Sequence, residues 1–336
     1  MARRLRHNEY TVAWICALPD ELTAAHEMLD EVHQELPLSS IDMNTYKLGC
    51  IGKHNVVIVC PAPGQTDINA VAASARHLIV TFPAIRFGLM VGIGGGVPSK
   101  EADIRLGDVV VSQPGKGYSG VVQYNLEKST LNSRFKCTGL LDSPPPILLT
   151  ATAKLRSIQK QGRGSLLPHL LKLSNLDRFT YNKAGSDVLF EAEYTHIGGD
   201  NCVSCAATRQ IQREERKNTT PMVHYGIIAS GTQVIRNGAI RDQISSEFGE
   251  VLCFEMEAAG LTNNFPCLMI RGVCDYADSH KDKRWQAYAA GTAAAYAKEL
   301  FLAIPTADVM KTQTIDKATR ELGLKVVAEG VRPTVE

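Results

Sequence analysis

The stretch "IRFGLMVGIGGGVP" limits the fold more than any other part of the chain. Phe87 to Val91 is an unbroken apolar run of strand length, and Gly92, Gly94, Gly95 and Gly96 follow it at once. Such a run reads as a buried strand. Glycines permit backbone conformations and close approaches that side chains forbid, so a loop with something lying against it is expected after Val91.

The same rhythm recurs along the chain. "YTVAWICAL" is a short apolar strand running into Pro19, a good first helical residue, with Asp20 and Glu21 in the first turn, where carboxylates favour the helix dipole. "NTYKLGCIG" and "NVVIVCPAPG" read as strands, and "INAVAASARHLIVTF" has the spacing of a packed helix. "LGDVVVS" is a further strand, "GVVQY" a hairpin arm, and "PPPILLTATAKLRSIQ" a helix introduced by prolines. Strands resume with "VHYGIIAS", "EVLCFEME" and "PCLMIRGVCD", and "WQAYAAGTAAAYAKELF" is a terminal helix. Strands alternating with helices predict an α/β fold around a mainly parallel or mixed sheet.

Residues 162–221 break the pattern. They are polar, with clustered charge in "RQIQREERKNTT", and read as an insertion on the scaffold or a mobile lid. Residues 306–336 lack a comparable apolar run and read as a tail, linker or weakly docked helix.

Composition narrows the function classes. The chain has 336 residues, 44% hydrophobic and 21% charged, and a formal charge of +1, which is the profile of a globular protein without a field for nucleic acid or an anionic membrane. No apolar run has the ~18 residues of a membrane span, and no secretory signal opens the chain, so a cytoplasmic location is expected. Nine cysteines are an odd number, and Cys16, Cys60, Cys253, Cys267 and Cys274 lie in apolar runs, which reads as reduced core.

Three carboxylates stand out. Glu255, Glu257 and Asp275 sit in runs that otherwise read as core, and an ionised carboxylate buried without a partner is costly. Ligands in open α/β sheets collect at the carboxyl ends of strands, where these acids, Asp20, Glu21 and the glycine run would meet. Two carboxylates around a sugar suit glycosidic cleavage, one as general acid at the leaving group and the other activating water. The alternative is structural: Asp275 pairs with Arg271, and Glu257 merely begins a helix.

"ALPDEL", "VGIGGGVP" followed by "RLGDVVVS", "HYGIIASG", "FEMEAAGL" and "IRGVCDYAD" resemble, in order, the landmarks of the nucleoside phosphorylase and nucleosidase superfamily, most closely its fungal phosphorylase-like domains. The resemblance covers about residues 10–303. It implies a three-layer α/β sandwich around a mixed, partly barrel-like sheet, and a homo-oligomer, a dimer favoured, in which one subunit often completes another's pocket. It implies a small-molecule purine nucleoside as the partner, no cofactor, and no metal in the reaction.

By the same resemblance Glu257 binds the ribose 2′ and 3′ hydroxyls, Met256 lies against the sugar, and Asp275 engages purine N7 as general acid or holds the leaving base. Glu21 matches the glutamate with which the hydrolytic branch orients water. Gly94 and Gly95 belong to the substrate-facing glycine run, and Val234 with Ile235 falls where nucleosidases stack an aromatic ring on the base. Phe190 or Tyr194 could supply that ring instead. Trp285 falls near the 5′ group, and Tyr124 near an aromatic that the partner subunit contributes; both equally suit ordinary core.

The phosphorylases of the family bind phosphate through arginines, whose bidentate donors suit that anion. "ALPDEL" puts acids at the first of those places and Met90 stands at the second, so hydrolysis is expected. Ile93 replaces a serine common to both branches, and the amides of "GIGGG" offer an alternative anion nest for phosphate. The expected activity is a purine nucleoside N-ribosyl hydrolase, with a phosphorylase or a nucleoside-sensing input domain as the other candidates.

Two further motifs remain. His196, Cys202 and Cys205 in "HIGGDNCVSC" suit three ligands of a structural zinc, but no second C-x-x-C follows, and the pattern reads first as an incidental thiol pair. "GIGGGVP" lacks the G-x-G-x-x-G spacing and a helix directly after it, which excludes a dinucleotide fingerprint.

Overall fold

A computed structural model describes residues 2–61, 68–127, 134–140, 142–199, 201–258, 261 and 265–321. The first half runs β1 (Val12–Ile15), α1 (Pro19–Glu27), β2 (Glu31–Val32), β3 (Thr45–Ile51), β4 (His54–Cys60), α2 (Ile68–Thr81), β5 (Phe87–Gly96), β6 (Val109–Ser112), β7 (Val121–Glu127) and β8 (Arg134–Leu140). It continues with α3 (Pro146–Lys160), α4 (Leu166–Leu170), α5 (Tyr181–Ala184), β9 (Val223–Gly231), α6 (Gly238–Glu247), β10 (Val251–Glu255), β11 (Cys267–Asp275), α7 (Trp285–Ala303) and α8 (Thr306–Lys311).

The sheet is mixed and partly closed. β5 pairs in parallel with β11, β11 antiparallel with β6, β6 parallel with β9, β9 parallel with β10, and β10 antiparallel with β5, so five strands form a closed ring. β2, β3, β4 and β1 extend the sheet from β5, and β7 with β8 extends it from β9. The glycine run is therefore strand and not the expected loop. Along one edge β5 pairs first with β1, at Phe87 to Met90, and then with β10, at Gly95 and Gly96. Glycine suits such a corner, where a strand leaves one sheet plane for another.

Helices cover both faces. α7 is buried almost all round, as a helix apolar on every side must be, and with α1, α3 and α4 it packs on one face of the sheet. α2 covers the other face through Val71, Ala75 and Leu78. This is the three-layer arrangement around a mixed, partly barrel-like sheet.

The segment 162–221 is anchored at several points. Leu166, Leu170, Leu173 and Phe179 belong to the core cluster around α7. Arg216 forks onto Asp108 at 2.6 and 2.7 Å, and Asp108, itself buried, also accepts from His224 Nε2 at 2.9 Å. Further along, Arg213 donates to Asp187 and to the hydroxyl of Tyr276, just after β11. Past residue 305, Val309 and Ile315 are buried, so the described part of the tail docks on the body. No helix among the described residues is long and apolar enough to cross a membrane.

Candidate active site

The carboxyl ends of β5, β10 and β11 open into one cavity of about 340 Å³. Its walls include Ile93, Gly94 and Gly95 from β5, Phe254 to Glu257 from β10 and the turn after it, and Cys274 and Asp275 from the end of β11. The segment Gln233 to Arg236, after β9, forms another wall with Tyr124 of β7, and Lys281 to Lys283 form the rim.

Arg271 organises the floor. It lies mid-strand in β11, 1% exposed, where an unpaired guanidinium would be very unfavourable. Its Nη2 donates to Glu255 Oε2, and its Nη1 lies 3.1 Å from Glu257 Oε2. Glu255 also accepts from the backbone N–H of Glu257 at 3.1 Å and of Ala258 at 2.9 Å, so it is a structural partner of Arg271.

Glu257 keeps a partly exposed carboxylate at the cavity, and burial, together with repulsion from Glu255 and Glu21 that Arg271 only partly offsets, pushes its pKa up to about 8. One guanidinium cannot neutralise three neighbouring carboxylates in a low dielectric.

Glu21 stands beneath the cavity rather than in its wall. It is 4% exposed, and its Oε2 accepts from the N–H groups of Ala17 and Leu18 at 2.8 and 3.0 Å, while Oε1 accepts from Ile93 N–H at 2.9 Å. Burial raises its pKa against the pull of Arg271 and these three donors. A Cβ on Gly92 would stand 2.4 Å from Arg271 Nη1 and 2.6 Å from Glu21 Oε1, so only glycine lets the two side chains share that space.

Asp275 lines the cavity at the end of β11, next to Gly95 of β5. Its Oδ1 accepts from Ala277 N–H at 2.8 Å and from Lys281 Nζ at 2.8 Å. The sequence alternative of an Asp275–Arg271 pair is therefore not what forms. Ala277, at φ 50, holds a left-handed conformation unusual for a residue with a side chain, and strain of this kind persists where its surroundings fix it.

Of the other expected site residues, Met256, Gly94, Gly95, Val234, Ile235 and Tyr124 all line the cavity. Tyr124 serves its own chain's cavity, where it meets Phe254 edge to face with ring centroids 5.6 Å apart. Trp285 does not line it: the ring is fully buried and packs edge-on against Tyr181 and Tyr288. Phe190 and Tyr194 stack on His280 instead of facing the cavity. The aromatic wall is supplied by Phe254 and Tyr124.

Sequence reasoning missed Phe254, Lys281 and the role of Arg271. A cation in the middle of "CLMIRGVC" was the available signal for Arg271, since a charge inside a buried strand demands partners.

A part-closed mixed sheet between helical layers, with acids gathered at its carboxyl rim, defines the class as an α/β protein with its candidate site at the strand ends. A family model described as the phosphorylase superfamily matches residues 11–304, and the chain belongs to that superfamily. It is 45% identical over 306 residues to a nucleotide-binding leucine-rich repeat (NLR)-like protein of Hyaloscypha variabilis, an alignment that takes in 89% of this chain and 30% of that protein.

Among solved structures it resembles the futalosine hydrolase of Helicobacter pylori, with a TM-score of 0.55 and 15% identity over 88% of this chain and 98% of the other. It also resembles the 5′-methylthioadenosine/S-adenosylhomocysteine nucleosidase from Neisseria meningitidis, with a TM-score of 0.55 and 18% identity over 87% and 98%. At these identities the likeness establishes the fold.

Proposed function

We propose that this chain is a nucleosidase: it hydrolyses the N-glycosidic bond of a purine nucleoside of the adenosine or inosine type, through an oxocarbenium-like transition state. The supporting observation is that Glu257 and Asp275 line one cavity, together with the aromatic rings of Phe254 and Tyr124. Glu257 accepts from the ribose hydroxyls and Met256 lies against the sugar. Asp275 engages the purine ring nitrogen, so that the C–N bond breaks with the electron pair leaving on the base. Glu21 orients the attacking water from below.

Water is favoured over phosphate as nucleophile because the anion nest is already occupied. The Ile93 N–H donates to Glu21, and Arg271 is held between Glu255 and Glu257, so neither is free for a dianion. A second reading, a nucleoside-binding input domain with little turnover, draws on the ion pair between Lys281 and Asp275, which already engages the carboxylate that the nucleosidase reading assigns to the leaving base.

Purine release from adenosine and inosine, measured in buffer with and without phosphate, separates the readings. The nucleosidase is expected to release base and free ribose at the same rate in both. Release that requires phosphate means a phosphorylase, and binding without release means a sensor.

A further inference from the structure

The insertion contains a cluster that the nucleosidase chemistry does not use. His196, Cys202 and Cys205 bring their ligand atoms within 4.8 Å of one another. His196 Nδ1 lies 3.7 Å from Cys202 Sγ and 3.4 Å from Cys205 Sγ. On a tetrahedral zinc ion, with Zn–S of about 2.3 Å and Zn–N of about 2.0 Å, a sulfur and a nitrogen ligand are about 3.5 Å apart. The two observed separations bracket that value.

The far side of the imidazole is arranged for the same task. His196 Nε2 lies 2.8 Å from the carbonyl oxygen of Gly199, which must accept, so the ring carries its proton on Nε2. That leaves Nδ1 as the acceptor that both thiols approach. A backbone carbonyl that fixes the tautomer of a ligating histidine is a recurring outer partner of zinc sites. The thiols come from a C-x-x-C pair spaced by a short 3-10 turn, Cys202–Ser204, capped where the Asn201 side chain accepts from Val203 N–H.

We infer that His196 Nδ1, Cys202 Sγ and Cys205 Sγ form a binding site for a zinc ion, with water at the fourth corner. Binding converts both thiols to thiolates, and the two protons pass to solvent. No oxidation is involved.

The site has a structural consequence. His196 N–H donates to Ser279 Oγ at 2.9 Å, and the His280 ring stands edge-on to His196 while stacking on Phe190. All three ligands belong to the insertion, so the metal braces the part of it that rests on Ser279 and His280, in the loop between Asp275 and Lys281, from a position outside the cavity.

The full chain, reduced, freed of metal by chelation and desalted, is titrated with cobalt(II) as a spectroscopic probe and then with zinc. One cobalt per chain is expected, with sulfur-to-cobalt charge-transfer absorption and the visible bands of a tetrahedral ion, all displaced by zinc. Cys202→Ser and Cys205→Ser are each expected to lose the charge-transfer band or weaken binding at least tenfold, while Cys60→Ser, in the core, keeps it. A wild-type chain that is folded by circular dichroism yet takes up no cobalt overturns the proposal. So does undiminished uptake by the Cys202→Ser, Cys205→Ser double variant. Neither outcome depends on nucleoside turnover.

Discussion

Lys281 places its ammonium 2.8 Å from Oδ1 of Asp275. The same Oδ1 accepts from the Ala277 N–H, so two donors fix where the carboxyl group proposed as general acid points. Asp275→Asn is expected to lower kcat by roughly 10² to 10⁴ while nucleoside binding stays within about tenfold, because a general acid acts in the transition state. Lys281→Met, which removes one of the two donors that hold the Asp275 carboxylate, should lower kcat/KM by less than Asp275→Asn does, and an unchanged kcat/KM would remove Lys281 from the chemistry.

Glu21 offers a second test, sharpened by its three backbone donors. If water attacks, Glu21→Gln should slow release, since a neutral amide accepts a proton poorly. If phosphate attacks, removing the charge should speed a phosphate-dependent reaction. The amide can serve only one side of the group, so an N–H of Ala17, Leu18 or Ile93 faces another donor, and a stability loss of about 1–3 kcal/mol is expected as well. Denaturant unfolding measured beside the kinetics separates the two effects.

Glu257→Gln is predicted to trade binding for stability. The carboxyl, pushed up from 4.5 to about 8, keeps in the folded state a proton that the unfolded chain gives up. Its favourable share of stability is complete below pH 4.5 and is lost as pH rises through about 8. The melting temperature of the variant relative to wild type should therefore climb across that window while nucleoside affinity falls. A difference in melting temperature that does not change with pH would contradict this.

Asp108 gives the opposite pH dependence. Burial works against its charge, but the Arg216 fork and His224 outweigh it and hold its pKa below the usual 3.8. The stabilisation is present above that value and is lost as pH falls below it. Asp108→Asn should cost about 3–5 kcal/mol at neutral pH, because Arg216 loses its buried counter-ion. It should also flatten the acid limb of the stability curve, read by urea unfolding as pH is lowered.

Much of the architecture was legible because the apolar runs are unbroken and well punctuated. Pro19 starts α1 as expected, "VHYGIIAS" is the body of β9, and the alanine-rich terminal helix is buried as its composition implies. The glycine run was misread as a loop because glycine ordinarily weakens a strand, whereas here bare backbone is what lets β5 turn the corner of the ring. The Asp275–Arg271 alternative could have been discarded from spacing: four residues of extended chain separate them by about 13 Å, too far for a close pair along one strand. Trp285 and Phe254 were not separable by pattern, since both are aromatic residues beside buried runs, and only the packing of α7 turns one inward while the end of β10 presents the other to the cavity.

The grouping of Glu21, Glu255 and Glu257 around the single guanidinium of Arg271 makes the cavity floor a reservoir for a proton. At neutral pH Glu257 retains it because burial and the charges of Glu255 and Glu21 outweigh the pull of Arg271. A positively charged guest above the floor would add to that pull and expel the proton into the solvent, so occupancy of the cavity and acidity are two readings of one equilibrium. Calorimetric titration with a cationic sugar mimic, repeated in buffers of different ionisation enthalpy, would register the expelled proton as a buffer-dependent heat, which a neutral ligand of the same shape would lack.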